Sequence, residues 1–258
     1  MNKKQLNILS NNLVNAFIKK KIIKPIPTKF CKNIKNAELL RKTCEDKINW
    51  PVIGFKAGGT AIPVLKKLKE KEPFYASIFN KNLLKNKSGV KINKYTLGIE
   101  LEVCYQIKKE FFLLKKKVNK KNISNFITHM APCLEIVGYR QKKIGIKYLG
   151  DLSSDFGANI KFVIGKKVKF RKINIKNLKT VIFNKNSNIK VFGNTNTVYK
   201  DPLNSLLFLL KKLKKDKVFL NKNFYVFTGS TVGIVPLKNT GIYIGKIDKL
   251  GSVKTSIK

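Results

Sequence analysis

Three carboxylates have the types and spacing to do chemistry. Glu100 and Glu102 stand two residues apart in Leu97-Gly98-Ile99-Glu100-Leu101-Glu102-Val103-Cys104, and Glu135 lies in Pro132-Cys133-Leu134-Glu135-Ile136-Val137. Lys and Arg number 55 against 14 Asp and Glu, so acids set among apolar residues are scarce here. On a strand, Glu100 and Glu102 share one face while Ile99, Leu101 and Val103 occupy the other. Two such carboxylates, about 7 Å apart beside a partly buried space, repel by roughly 2 kcal/mol at an effective dielectric near 20. A hard divalent cation removes that repulsion, and carboxylate oxygens are the ligands that Mg²⁺ or Mn²⁺ takes. A lone Glu-x-Glu more often marks a strand with one wetted face. Glu135, in a second apolar run, moves the reading towards a metal site.

Other segments add chemistry of lower specificity. Lys56 in Gly54-Phe55-Lys56-Ala57-Gly58-Gly59-Thr60 is flanked by apolar residues and glycines, a setting where a lysine can pair with an anion or pass a proton. Asp155 falls in the turn-prone Asp151-Leu152-Ser153-Ser154-Asp155-Phe156-Gly157. In Thr228-Gly229-Ser230, hydroxyls and a glycine amide after a strand could hold a carboxylate or oxyanion. The sequence has no Walker motif and no G-x-G-x-x-G following a strand. Cys31, Cys44, Cys104 and Cys133 form no C-x-x-C pair, which leaves zinc and dithiol redox chemistry without support. His129 is the sole histidine, so triad hydrolases have little to draw on.

The elements that must position these groups are read from periodicity. Leu6, Leu9, Leu13 and Phe17 predict a helix over 3–20. Residues 37–46 predict a second, with Asn36 as its cap. A short strand is expected over 51–55, then a turn and a small helix capped by Thr60. Further strands are expected at 98–107, 132–138, 160–164, 167–175, 179–183, 188–192, 224–228, 241–247 and 251–257. One helix interrupts them, with Asp201 as N-cap, Pro202 in the first turn, and Leu203, Leu206, Leu207, Leu210 and Leu213 as its apolar stripe. Many strands with short Gly or Asn turns predict a β-rich roll or barrel instead of alternating β-α units.

The net charge of +41 points first to a polyanion partner. Yet the lysines run along the whole chain, and only Arg41, Arg140 and Arg171 offer the guanidinium fork suited to phosphates and base edges. Lys, Asn and Ile share A/T-rich codons, so nucleotide bias accounts for the composition without a specific nucleic acid. No apolar run reaches the roughly 18 residues of a membrane span. Met1 to Lys24 lacks a continuous apolar stretch of the signal-peptide type, and the expected compartment is the cytoplasm.

Taken in order, several stretches resemble the 2-keto-4-pentenoate hydratase family of the fumarylacetoacetate hydrolase superfamily. They are Gly54-Phe55-Lys56-Ala57-Gly58-Gly59-Thr60, Gly98-Ile99-Glu100-Leu101-Glu102, and Ala131-Pro132-Cys133-Leu134-Glu135-Ile136-Val137-Gly138-Tyr139-Arg140. Asp201-Pro202-Leu203-Asn204, Thr228-Gly229-Ser230 and Leu250-Gly251-Ser252-Val253 complete the series, while 166–198 matches weakly. The resemblance implies an α+β fold, a mixed β-roll or barrel with helical N-terminal elements. It divides the chain into a small N-terminal region over 1–80 and a catalytic domain over 81–258. It further implies Mg²⁺ or Mn²⁺ on Glu100, Glu102 and Glu135, and Lys56 and Asp155 assisting substrate binding or proton transfer. Thr228, Gly229 and Ser230 would hold a small 2-oxo acid, in a homo-oligomer.

The activity implied is addition of water to an unsaturated 2-oxo acid such as 2-hydroxypenta-2,4-dienoate. A related decarboxylase or a C–C hydrolase of acylpyruvates would use the same metal cradle, and a basic nucleic-acid-binding protein is the reading from a different class. Two departures bear on this choice. The family's Pro-Asp-aromatic-Gly is Pro73-Phe74-Tyr75-Ala76 here, and its Asp-Asn-Ala-Ser is Asp155-Phe156-Gly157-Ala158, so groups that handle protons are replaced by apolar ones.

Overall fold

In the computed structural model, which describes residues 1–93, 95–142, 145–171 and 173–258, fourteen strands form two sheets. In chain order they begin with β1 (Val52–Gly58), β2 (Phe74–Phe79), β3 (Leu83–Lys85), β4 (Gly89–Val90) and β5 (Thr96–Ile107). Then come β6 (Ile127–Gly138), β7 (Asn159–Ile164), β8 (Val168–Lys169), β9 (Lys179–Asn184) and β10 (Lys190–Asn194). The last four are β11 (Phe224–Ser230), β12 (Val235–Pro236), β13 (Gly241–Ile247) and β14 (Gly251–Ile257). The larger sheet runs β2-β1-β11-β5-β6-β7-β3, with β12 beside β5 and β8 beside β6; the smaller runs β10-β9-β13-β14-β4. This is the expected α+β roll.

Alternation along the central strands separates two faces. On one face Phe55, Ile99, Leu101, Val103, Leu134, Ile136 and Val163 join the main core. They meet Ile182, Tyr243, Val253 and Ile257 of the smaller sheet and Leu206, Leu209, Leu210 and Leu213 of the helix Pro202–Lys215. On the other face Cys104, Cys133, Phe162, Ile164 and Phe227 make a separate small cluster. Ile78 of β2 packs into that cluster beside Phe162 of β7, although the two strands lie near opposite ends of the sheet order. The sheet is therefore curled, and the glutamate face looks inward.

The helices Lys3–Lys19 and Ile34–Asp46 pack through Leu13, Phe17, Leu40 and Cys44 against Phe79 and Phe156. The second helix starts three residues earlier than expected because Asn33, not Asn36, is the cap; its side chain accepts the N–H groups of Lys35 and Asn36. Thr60 does not cap the short helix Ile62–Lys67: Ala61 is its N-cap, and the Thr60 carbonyl accepts the Tyr199 N–H. The helix after Asp201 forms as read, with Asp201 accepting the Leu203 N–H at 2.9 Å. The strand expected over 167–175 shortens to Val168–Lys169, followed by a 3₁₀ turn at Ile175–Asn177; Lys172 lies outside the described residues. Among the described residues no helix is long and apolar enough to cross a membrane.

Candidate metal centre

The antiparallel register of β5 and β6 sets Glu100 directly opposite Glu135, and Glu102 opposite Cys133. One oxygen from each of Glu100, Glu102 and Glu135 lies within 4.8 Å of the others, Glu102 and Glu135 being fully buried and Glu100 partly so. Strand β1 adds Lys56 to the same concave face, between Phe227 of β11 and Ala76 of β2. Its ammonium donates to Glu135 Oε1 at 2.7 Å and to the Gly157 carbonyl at 3.0 Å. Strand β11 slips its register between Phe227 and Ser230, and this bulge frees the Gly229 N–H from the ladder. That N–H donates to Glu102 Oε2 at 2.8 Å. Gly229 has φ +107°, and a Cβ there would collide with the Thr60 side chain.

These contacts use one oxygen of each buried acid. Glu102 Oε1 and Glu135 Oε2 are buried without a hydrogen-bond partner. Two orphaned carboxylate oxygens, with a third acid beside them, are a hard-cation donor set, and the residues present fit Mg²⁺ or Mn²⁺.

The electrostatics agree. Burial pushes the Glu100 carboxyl up to about 7, Glu135 adds to the rise, and Lys56 opposes it. Glu102 is raised further by burial and by both neighbouring acids, and burial raises Glu135 against the pull of Lys56. Burial also disfavours the Lys56 cation, but the surrounding carboxylates outweigh it and hold the ammonium above the ordinary lysine range. A carboxyl whose folded pKa exceeds its unfolded value stabilises the fold while protonated, and that stability is lost as pH rises through the folded pKa. For Glu100 the window runs from the ordinary value of 4.5 to about 7. Chelator-treated protein is therefore expected to melt at a lower temperature near pH 8 than near pH 5, with added Mg²⁺ raising the midpoint more at the higher pH. Equal Mg²⁺ effects at both pH values would count against three converging acids.

The remaining residues singled out in the sequence have other settings. Asp155 is buried, and its carboxylate accepts the Arg140 N–H at 2.8 Å, the Gln141 side-chain amide at 3.1 Å and the Arg140 guanidinium at 3.1 Å. It lies outside the three-glutamate group. Thr228 is fully buried with its hydroxyl donating to the Val103 carbonyl at 3.0 Å, which ties β11 to β5. The Ser230 hydroxyl donates to the Gly233 carbonyl at 2.8 Å in a half-buried position. Sequence reasoning missed the Gly157 carbonyl as a lysine partner and Arg140 as the partner of Asp155. Arg140 had a signal, being one of only three arginines.

No family model matches the chain, and the search of curated proteins finds no relative. Solved structures do match. The 4-oxalocrotonate decarboxylase from Pseudomonas putida G7, complexed with magnesium and adipate, superposes with a TM-score of 0.88 at 17% identity, over 100% of this chain and 99% of that one. The fumarylpyruvate hydrolase from Pseudomonas aeruginosa, in complex with Mn²⁺ and pyruvate, gives 0.61 at 12% identity, over 82% of this chain and 91% of that one. The 2-hydroxyhepta-2,4-diene-1,7-dioate isomerase from Mycobacterium marinum gives 0.56 at 12% identity, over 81% and 76%. A curled sheet carrying inward glutamates, and full-length agreement with the first of these, give this chain the fold that these solved structures share, the one the sequence resemblance implied.

Proposed function

We propose that this chain is a divalent-metal-dependent enzyme acting on a small 2-oxo acid, and that its reaction is addition of water to an unsaturated substrate of the 2-hydroxydienoate class. The observation that carries the proposal is the convergence of Glu100, Glu102 and Glu135 with two buried, unpartnered carboxylate oxygens. These residues would hold Mg²⁺ or Mn²⁺, whose Lewis acidity towards the carboxylate and 2-oxo oxygens of such an acid is the chemistry the ion supplies. The solved structures complexed with magnesium or Mn²⁺ and with adipate or pyruvate lend support by analogy.

The chain's own groups have distinct tasks in this reading. Lys56, fixed by Glu135 and Gly157, keeps one N–H for a substrate oxygen and is the group placed to hold or deliver a proton. Gly229 orients Glu102, and the half-buried Ser230 hydroxyl is the member of the Thr228–Ser230 segment left to meet a substrate. Asp155 acts as a positioning residue, its carboxylate accepting hydrogen bonds from Arg140 and Gln141.

Decarboxylation is a second reading, favoured by the corner next to Lys56. A Cβ at Gly58 would overlap the buried Phe74 ring, and one at Gly157 would overlap the Ala76 Cβ and crowd the same ring at 3.3 Å, so an apolar side chain fills the place where the resemblance expects an acid. Loss of CO₂ needs an electron sink but no activated water, whereas hydration and hydrolysis need both. Purified protein with Mg²⁺ or Mn²⁺ should be screened against 2-hydroxydienoates and acylpyruvates, with products read by mass spectrometry. A gain of one water indicates the hydratase, loss of CO₂ the decarboxylase, and two carbonyl fragments a C–C hydrolase. No turnover together with no calorimetric metal binding sinks the proposal.

A further inference from the structure

A cavity of about 530 Å³ lies apart from the carboxylates: none of Glu100, Glu102, Glu135 and Lys56 lines it. It sits between the end of the helix Lys3–Lys19, the β2–β3 connection, β4, and the strand ends at Tyr95 and Tyr139. Cations reach it from separate elements: Lys20 and Lys21 after the helix, Lys81 before β3, Lys91 after β4, Arg140 after β6, and Lys161 on β7. Trp50, Leu84, Val90, Tyr95 and Ile160 supply apolar wall. No Asp or Glu stands among the described lining residues.

Three of the cations are held in place, and one of them, Arg140, already has its charge matched by Asp155. Lys161 Nζ donates to the Lys81 carbonyl at 2.6 Å, and Lys81 Nζ lies 4.6 Å over the Trp50 ring. Burial lowers the pKa of Lys161, and the charge of Lys20 lowers it further. An anion in the cavity would relieve that crowding.

We propose that this cavity binds a small amphipathic anion, an aromatic-sized apolar body carrying carboxylate, sulfonate or phosphate groups. The volume falls in the range of ligand pockets, roughly 300–1,000 Å³, which bury most of a small molecule. Positive charge in a low-dielectric concavity concentrates anions far more strongly than the same lysines on an open surface. The apolar wall contributes affinity for the body of the ligand, and the cations select its charge. The proposal is independent of the metal centre and of the activity proposed for it.

The single tryptophan of the chain lines the cavity, so its fluorescence reports occupancy directly. The probe is anilinonaphthalenesulfonate, titrated into the full-length protein in the presence of chelator, with uncharged anilinonaphthalene as the neutral counterpart. One saturable site with energy transfer from Trp50 is expected, and much weaker binding of the neutral compound. The double variant Lys81→Gln/Lys161→Gln should weaken the probe by about tenfold or more, the loss expected for removing charge-assisted contacts. Lys176→Gln/Lys200→Gln, which removes two exposed lysines absent from the lining, should leave affinity unchanged. Circular dichroism checks that both variants fold. Non-saturating binding, absence of energy transfer, or equal loss in the two double variants would overturn the proposal.

Discussion

Glu102→Gln and Glu135→Gln are each expected to abolish the proposed Mg²⁺-dependent turnover and to weaken Mg²⁺ binding by at least about a hundredfold. The magnitude follows from metal sites in general, where losing a group that merely orients a ligand costs roughly 10–100-fold in affinity; losing a ligand costs no less. Glutamine keeps the shape and volume of glutamate, so the fold is retained. In Glu102→Gln the amide carbonyl can still accept the Gly229 N–H, the contact made at 2.8 Å by Glu102 Oε2. Removing one charge also eases the mutual repulsion of the acids, so metal-free Glu102→Gln should melt no lower than the parent near pH 8, whereas Glu135→Gln also loses its ion pair with Lys56. Calorimetric titration with Mg²⁺ checks this without a known substrate. Unchanged affinity in both variants would remove the metal centre from consideration, whatever the activity proves to be.

The second large effect concerns the lysine. Lys56→Met deletes the only cation bonded to the cluster among the described residues and leaves Glu135 buried without its partner. Breaking a buried ion pair from one side costs about 3–5 kcal/mol. For a chain of this size a kilocalorie moves the midpoint by roughly 2–4 °C, so a fall of the order of 10 °C is expected in chelator. Saturating Mg²⁺ should return most of it, because the ion neutralises the same carboxylates. A loss of equal size with and without Mg²⁺ would show that the lysine serves packing alone. Lys56→Arg is the informative control, since it retains charge but cannot reproduce a compact ammonium between Glu135 and the Gly157 carbonyl.

Period-two spacing made the carboxylate cluster legible before the fold was known. Glu100 and Glu102 flank Leu101, whose apolar character fixes which face turns to the core, and the observed register delivers Glu135 opposite Glu100. Likewise β13 and β14 occupy the bounds expected for them, and the capped helix begins at Pro202 as its signals require. Strand β2 was invisible for the converse reason. All six of its residues are buried, so Phe74–Phe79 shows no alternation to read. The Thr228 hydroxyl looked free because its partner, the Val103 carbonyl, belongs to a neighbouring strand 125 residues away. The same holds for the Gly157 carbonyl, 101 residues from Lys56. Contacts of that separation are set by sheet register and loop closure, which local spacing does not encode.

The Phe74 ring, wedged against Gly58 and Gly157, constrains how this lineage can change. The aspartate that the resemblance expects there could not simply be written in. Phe74→Asp would place an ionised group where nothing among the described contacts solvates it, and would leave a void bordered by Leu65 and Leu149. Installing that acid would demand compensating substitutions first, so the aromatic at this position acts as a ratchet on whatever catalytic repertoire descendants of this chain can reach.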